Sequence, residues 1–405
     1  MLNSSNLSSR RPKAMEVMGR WKLTDAVMLA ISLFNVVGGG AEGLQNDHRH
    51  LQSSLACYPA LFVFGNSLSD TGNGVLTGNP LLALPADRPY GETVPGYPFN
   101  RFSDGLLIID FLAILLGLPL TQPYLDRSAD FTTGINFAVS SATALDAAYL
   151  NSIGIPTLSN YSLDVEIGWY LSSRSSAANP YSRNIVAYRH GLYVIEIGGD
   201  DYIQAVLSSN FSVPYIQRNL IPLVIAKIRN ATEVLYATGA RNFLYISITP
   251  LGCSPSLLAF FPSGAKDRNG CLIDLNTLSF EHGQRLLRLV YELRATYHDA
   301  RFVFFDYYGA YEQVISNSPA FGFRDTLDAC CGAGPSFLYR YSPQLFCSAS
   351  STVAAMTLCP NPIVFLNWDG IHFTHSFNSV ISTLTIGSGQ YLNPPKAFAN
   401  CIQHV

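Results

Sequence analysis

Charge is scarce in this sequence. Of its 405 residues only 13% are Asp, Glu, Lys or Arg, about half the usual share, and the formal charge is −3. So weak a balance excludes the electrostatic footprint of a protein that tracks a nucleic-acid backbone or clings to an anionic membrane. No uninterrupted apolar run reaches the roughly 20 residues that a helix needs to cross a bilayer, so stable membrane insertion is not expected. There is no G-x-x-x-x-G-K-[ST] block, and a nucleotide cofactor has no support. No C-x-x-C pair is present, which leaves a zinc site without its usual spacing. What the chain has in quantity is apolar surface, 48% of its residues, enough to exclude a disordered chain and to build a large core.

The first 56 residues differ from the rest. Arg10, Arg11, Lys13, Arg20 and Lys22 precede the mostly apolar run Ala26 to Val37, and small residues follow at Gly38, Gly39, Gly40 and Ala41. This is the order of a secretory signal, with cleavage expected near Ala41. The rival is an apolar helix kept in the mature fold. We therefore divide the chain into a signal region, 1–41, a short segment, 42–56, and a single domain, 57–405. That domain carries 19 basic and 24 acidic side chains, a charge of −5.

Export changes how the eight cysteines are read. An even set spread thinly over a long chain suits a few structural disulfides in an oxidising compartment. Cys253 with Cys271 is the one pair expected, and the adjacent Cys330 and Cys331 are expected to bond elsewhere. The sequons at Asn160, Asn210 and Asn230 agree with passage through a secretory route.

Beyond residue 57 short β-rich runs alternate with longer helical patterns. The runs are Leu61–Phe64, Ile135–Val139, Leu192–Ile197, Asn242–Ile248 and Arg301–Phe305. Helices are predicted over Asp104–Leu116 with Ser103 as cap, over Pro214–Thr238 ending at Gly239, and over Asp274–Tyr297. Strands alternating with helices predict a parallel sheet covered on both faces. In such sheets ligands bind beyond the carboxyl ends of the strands, which directs attention to Ser67, Ser140, Ser141, Asp200, Asp201, Thr249 and Asp306.

Ser67 follows the first run directly, ahead of Ser69 and Asp70, either of which can cap a following helix. A serine at a helix N-terminus lies where developing negative charge is favoured, and it becomes a nucleophile if a base reaches it. Far along the chain stands Trp368-Asp-Gly-Ile-His372. Asp369 and His372, three residues apart with Gly370 between them, can fold over one turn so that the carboxylate meets the imidazole Nδ1–H and the other nitrogen faces out as a base. Asp306 is a weaker rival as the histidine's partner, and His372 with His375 a poor suggestion of a metal. His282 and His298 read as packed or solvated, Glu196 as a structural polar residue.

Taken together these pieces resemble the plant-type GDSL esterase/lipase family, a branch of the SGNH hydrolases. Supporting stretches are Pro89–Thr93, Arg101–Gly105, Gly134–Ala138, Pro250–Pro255 and Cys330–Gly332. The resemblance implies a three-layer α/β/α sandwich of the flavodoxin-like kind with a mostly parallel five-stranded sheet. It implies an acyl-enzyme on Ser67, with His372 as base and Asp369 orienting it, no cofactor and no metal, and a small-molecule ester as substrate. It also implies an oxyanion hole from Ser67, position 141 and position 200. Here the chain departs from the pattern. Asn66 stands where the family has Asp, Ser141 where it has Gly, and Asp200 where it has an Asn amide donor. An ionised Asp has no donor and repels an oxyanion, so the expectation is an esterase weakened at neutral pH and better in acid, where a carboxyl raised by burial beside Asp201 stays protonated. Acyl transfer from the same intermediate, and a silent binding protein that keeps the cleft, are the alternatives.

Overall fold

Along each β-rich run alternate side chains face opposite ways, and both sets are apolar, so the sheet they form must be covered on two sides. A computed structural model describes residues 57–94, 100–175, 184–208, 211–345, 347 and 356–402. The signal region 1–41, the segment 42–56 and the Asn210 sequon lie outside these residues.

The main sheet contains β1 (Leu61–Gly65), β2 (Gly134–Asn136), β3 (Leu192–Glu196), β4 (Asn242–Ile246), β5 (Arg301–Phe305) and β10 (Leu392–Asn393), in the order β10-β5-β4-β3-β1-β2. The first five are parallel, as the five runs predict, and β10 adds a two-residue antiparallel strand beside β5 that no sequence pattern announces. The second run is strand for only three residues, though Phe137 N and Val139 N continue to donate to Val63 and Gly65 of β1. Four further strands form two small pairs, β6 (Asp325–Ala329) with β9 (Phe365–Asn367) and β7 (Cys331–Gly332) with β8 (Thr357–Leu358).

Seven helices of eight or more residues matter to the layers or the site: α1 (Ile108–Leu115), α2 (Leu163–Ser175), α3 (Gly199–Leu207), α4 (Ile221–Ala237), α5 (Ile273–Thr296), α6 (Tyr307–Ser316) and α7 (His375–Ser382). Phe62, Phe64, Tyr193, Ile195, Phe243 and Tyr245 pack with α2, α4 and α5 in one core. Their alternates Leu61, Val63, Leu192, Val194, Leu244 and Ile246 pack with α1, α6 and α7 in a second. The result is the three-layer sandwich.

Helix α5 lies one residue from its predicted bounds, and α4, preceded by a π-turn at Ile216–Leu220, ends before Gly239 as expected. Helix α1 begins at Ile108 rather than Asp104. The cause is that Asp104 and Ser103 are otherwise engaged: Asp104 accepts from Thr93 Oγ1 and His375 N, and Ser103 Oγ accepts from Gly105 N. Asp110 takes over the cap by accepting from Leu107 N at 2.9 Å, and its buried carboxylate is clamped by Arg101 Nε and Nη2 at 2.7 and 2.8 Å.

All eight cysteines are paired, Cys57–Cys401, Cys253–Cys271, Cys330–Cys359 and Cys331–Cys347. The expected Cys253–Cys271 pair is present, and the adjacent cysteines bond to different partners. No helix among the described residues is long and apolar enough to cross a membrane.

Candidate active site

The strand order reverses between β1 and β3, which is where a crevice opens at the carboxyl edge of a doubly wound sheet. Ser67 leaves β1 at that point and Asp200 leaves β3. Gly65 allows the two strands to close up: a Cβ there would lie 2.4 Å from the Glu196 carbonyl oxygen. Ser67 sits on a tight turn in which Leu68 N donates to Asn66 Oδ1 and Ser69 N to Asn66 O, both at 3.0 Å. It is not at a helix N-terminus, because the next helix is the single turn Asn73–Leu76. Asp70 organises the chain in between. Its two carboxylate oxygens accept from Gly72, Asn73, Gly74 and Ser140 N–H groups at 2.7–2.8 Å, tying the Ser67 turn to the segment that carries Ser141.

From 305 residues away His372 reaches Ser67. Its Nε2 accepts from the Ser67 hydroxyl at 2.8 Å, and its Nδ1–H donates to the Asp369 carboxylate at 2.8 and 2.9 Å. Asp369 also accepts from Ile371 N, His372 N and the hydroxyl of Tyr90, each at 2.8 Å. Burial works to raise the Asp369 carboxyl, but the His372 imidazole and the His372 and Ile371 backbone N–H groups hold it below the ordinary value. Burial and the Asp369 charge push the Tyr90 phenol well above its usual range, keeping it a donor. The Asp-Gly-Ile-His turn is itself anchored: Trp368 N donates to His372 O at 2.8 Å, and Ser254 Oγ and Ser256 N donate to Gly370 O. Phe102 covers the imidazole with ring centroids 4.5 Å apart.

Position 141 has a backbone conformation that glycine would adopt without strain. Ser141 has φ +59°, in the left-handed region, which costs an ordinary residue about 1 kcal/mol or more. Among the described residues neither Ser67 N–H nor Ser141 N–H has a hydrogen-bond acceptor.

Asp200 stands in the first turn of α3, whose N-cap Gly198 has φ 113°. Burial pushes its carboxyl up to about 6, with the His372 imidazole acting against the rise. The source of the shift is not Asp201, as the sequence suggested. Asp201 turns away and accepts from Ala144 N and Leu145 N at 2.7 and 3.0 Å. The acid facing Asp200 is Glu196, which burial and the Asp200 charge raise well above the carboxylate range. Glu196 accepts from Ser69 Oγ at 3.2 Å.

Other candidates fall elsewhere. Asp306 caps α6 by accepting from Gly309 N at 2.9 Å. His375 Nδ1 accepts from Leu106 N at 3.1 Å, on a different set of partners from His372. His282 is fully buried with Nδ1 2.9 Å from the Tyr202 hydroxyl, and burial lowers it to about 3. Asn160 and Asn230 are exposed.

Several residues here escaped sequence reading as participants. Tyr90 and Phe102 lie in stretches that carried the resemblance, yet nothing local shows that they face Asp369 and His372. Glu166, buried in α2, accepts from Gly65 N at 2.9 Å across 101 residues, with no signal beyond an acid on an otherwise apolar helix face.

Around these groups lies a cleft of about 440 Å³ lined by Leu81, Leu84, Leu158, Ile203, Leu207 and Leu251 together with Ser67, Ser141, Asp200 and His372. A largely apolar cleft with a few polar groups at one end is the usual form of a small-molecule site. Residues 61–384 match the GDSL-like Lipase/Acylhydrolase family. Two acetylajmalan esterases of Rauvolfia serpentina are 36% and 35% identical to this chain, over 80% and 87% of it and 89% of each relative. A GDSL esterase/lipase of Arabidopsis thaliana is 35% identical over 83% of this chain and 92% of its own. The chain belongs to the GDSL-like lipase/acylhydrolase family, and it is an ester hydrolase.

Proposed function

We propose that this ester hydrolase is a secreted serine esterase acting on small or lipophilic carboxylic esters. Ser67 attacks the ester carbonyl. His372 takes the hydroxyl proton on Nε2 and returns it to the leaving alcohol, while Asp369 fixes the imidazole tautomer and stabilises the imidazolium that forms. Water, activated by the same imidazole, then hydrolyses the acyl-enzyme, and an alcohol in place of water would give acyl transfer. The observation that carries this reading is the continuous hydrogen-bonded line from Asp369 through His372 to the Ser67 hydroxyl.

The oxyanion would be met by the Ser67 and Ser141 N–H groups, with Asp200 in the third place. Ionised, Asp200 offers no donor and opposes the charge that develops. Protonated, it regains an O–H. Loss of one such donor typically costs about 10²- to 10³-fold in kcat, so turnover of neutral esters should improve as pH falls toward the Asp200 value of about 6, until protonation of the base intervenes. Four disulfides and the apolar leader-like segment support export. The domain from residue 57 would act on a small-molecule ester, without nucleic acid and without stable membrane insertion.

Labelling with a fluorophosphonate probe at several pH values tests the nucleophile, with hydrolysis of an ester panel alongside. Labelling and turnover lost together in Ser67→Ala are the expected result. An unlabelled wild-type protein that still binds esters would replace the esterase reading with that of a silent binding protein.

A further inference from the structure

One turn beyond Asp200 on α3 is Gln204. Its side chain is buried, only 5% exposed, and it lines the cleft. Both its amide atoms lack a hydrogen-bond partner among the described residues. The amide lies near enough to Asp200 to help lower its pKa, without a hydrogen bond of ordinary geometry. A buried amide left unsatisfied is destabilising, and in a functional cleft such a group is one that a ligand can complete. The charge of the wall is equally one-sided. The described residues lining the cleft include Glu196, Asp200 and Asp369 but no Lys or Arg. Asp369 is engaged by His372 and Tyr90, and Glu196 is held toward its neutral form. That leaves Asp200 as the carboxylate whose only cationic neighbour among the lining residues is the His372 imidazole when it is protonated, with no Lys or Arg beside it.

We propose that the cleft selects esters carrying a protonated amine, seated between the Asp200 carboxylate and the Gln204 amide oxygen. This rests on the esterase reading of the same site and adds its substrate class. An ammonium N–H satisfies both acceptors at once. The same charge offsets the field that Asp200 sets against the oxyanion. A residue that penalises neutral esters thereby becomes one that discriminates in favour of cationic ones.

The test uses two isosteres, 2-(dimethylamino)ethyl butyrate, protonated at pH 7.5, and 3-methylbutyl butyrate, in which CH replaces the ammonium nitrogen. Binding to Ser67→Ala by calorimetry and kcat/KM of the wild type are measured for both. At pH 7.5 the amine ester should bind about tenfold tighter or more, the scale of a partly desolvated charge pair. The preference should shrink several-fold in Gln204→Leu and approach unity when Asp200→Asn is added. At pH 5 it should fall as Asp200 takes up a proton. Asp200 faces His372 and Glu196, with Asp201 adjacent, so the Asp200→Asn background at both pH values isolates its titration. Equal binding of the two esters at pH 7.5, or a preference unchanged by Asp200→Asn, overturns the proposal. Hydrolysis of both esters at equal efficiency would leave the esterase standing and sink the amine site. A binding preference with no turnover would do the reverse.

Discussion

On one side of Ser67, Asp369 accepts from Ile371 N, His372 N, His372 Nδ1 and the Tyr90 hydroxyl, and the imidazole it steers meets the serine at 2.8 Å. On the other side, Ser141 occupies a left-handed conformation and Asp200 brings a carboxyl, raised by burial, to the cleft. The half that would handle the proton is fully hydrogen-bonded, while the half we propose for the oxyanion holds a strained serine and an acid. The contrast teaches that the two halves of such a site answer to separate demands. A hydroxyl activated by a base is one requirement, and stabilisation of the charge it generates is another.

The largest expected effect lies in the intact half. Asp369→Asn should lower kcat about 10³- to 10⁴-fold by favouring the wrong imidazole tautomer, measured as steady-state hydrolysis. A loss of tenfold or less would show that Tyr90 and the backbone donors orient His372 without the carboxylate. In the altered half the sign reverses. Asp200→Asn should raise kcat on a neutral ester about tenfold or more at pH 7, and the gain should shrink below pH 6, where the wild-type carboxyl, raised to about 6, gains its own proton. Equal or lower activity in that variant at pH 7 would remove Asp200 from the oxyanion argument.

Stability should report the same asymmetry. Burial raises Asp70 to about 6, Asp201 to about 7, and Glu166 and Glu196 well above the usual range. The folded state therefore holds these protons more tightly than the unfolded chain does. Their contribution is complete below the unfolded values near 4, and that of Asp70 and Asp201 is lost as pH rises through 6 and 7. Differential scanning calorimetry should find Tm about 5 °C or more higher at pH 5 than at pH 8. A Tm that rises over that interval would count against the assignment. The smallest effect belongs to Ser141→Gly, which relieves the left-handed serine but adds freedom to the unfolded chain. A gain of about 0.5–1 kcal/mol in denaturant unfolding is expected, and a loss would mean that the serine side chain is held by contacts worth more than its backbone strain.

Much of the fold was legible because its signals are local. Each of the five parallel strands begins within one residue of its predicted start, and Arg301–Phe305 matches at both ends. In the site, Asp369 and His372 are three residues apart, so their pairing could be read from a single turn. Strands β7 to β10 were missed because two or three residues of strand hold too little periodicity to register. Strand β6 is longer, but Asp325-Thr-Leu-Asp-Ala329 is polar and mostly half-buried, without the apolar run that marks a central strand. Glu166 on Gly65 and Tyr90 on Asp369 span 101 and 279 positions, distances over which no local pattern carries information.

Residue order by itself determined the alternation that buries a sheet on both faces, the cysteines free to pair, and the identities at positions 66, 141 and 200 that depart from the family. Tertiary structure alone decided which acid faces which. Asp200 and Asp201 are adjacent in sequence, yet on α3 one looks into the cleft and the other accepts from Ala144 and Leu145. The reason is that successive residues on a helix point about 100° apart, so neighbours in the chain need not share surroundings. Burial and partners, which set the charge a carboxyl carries, belong to the packed fold.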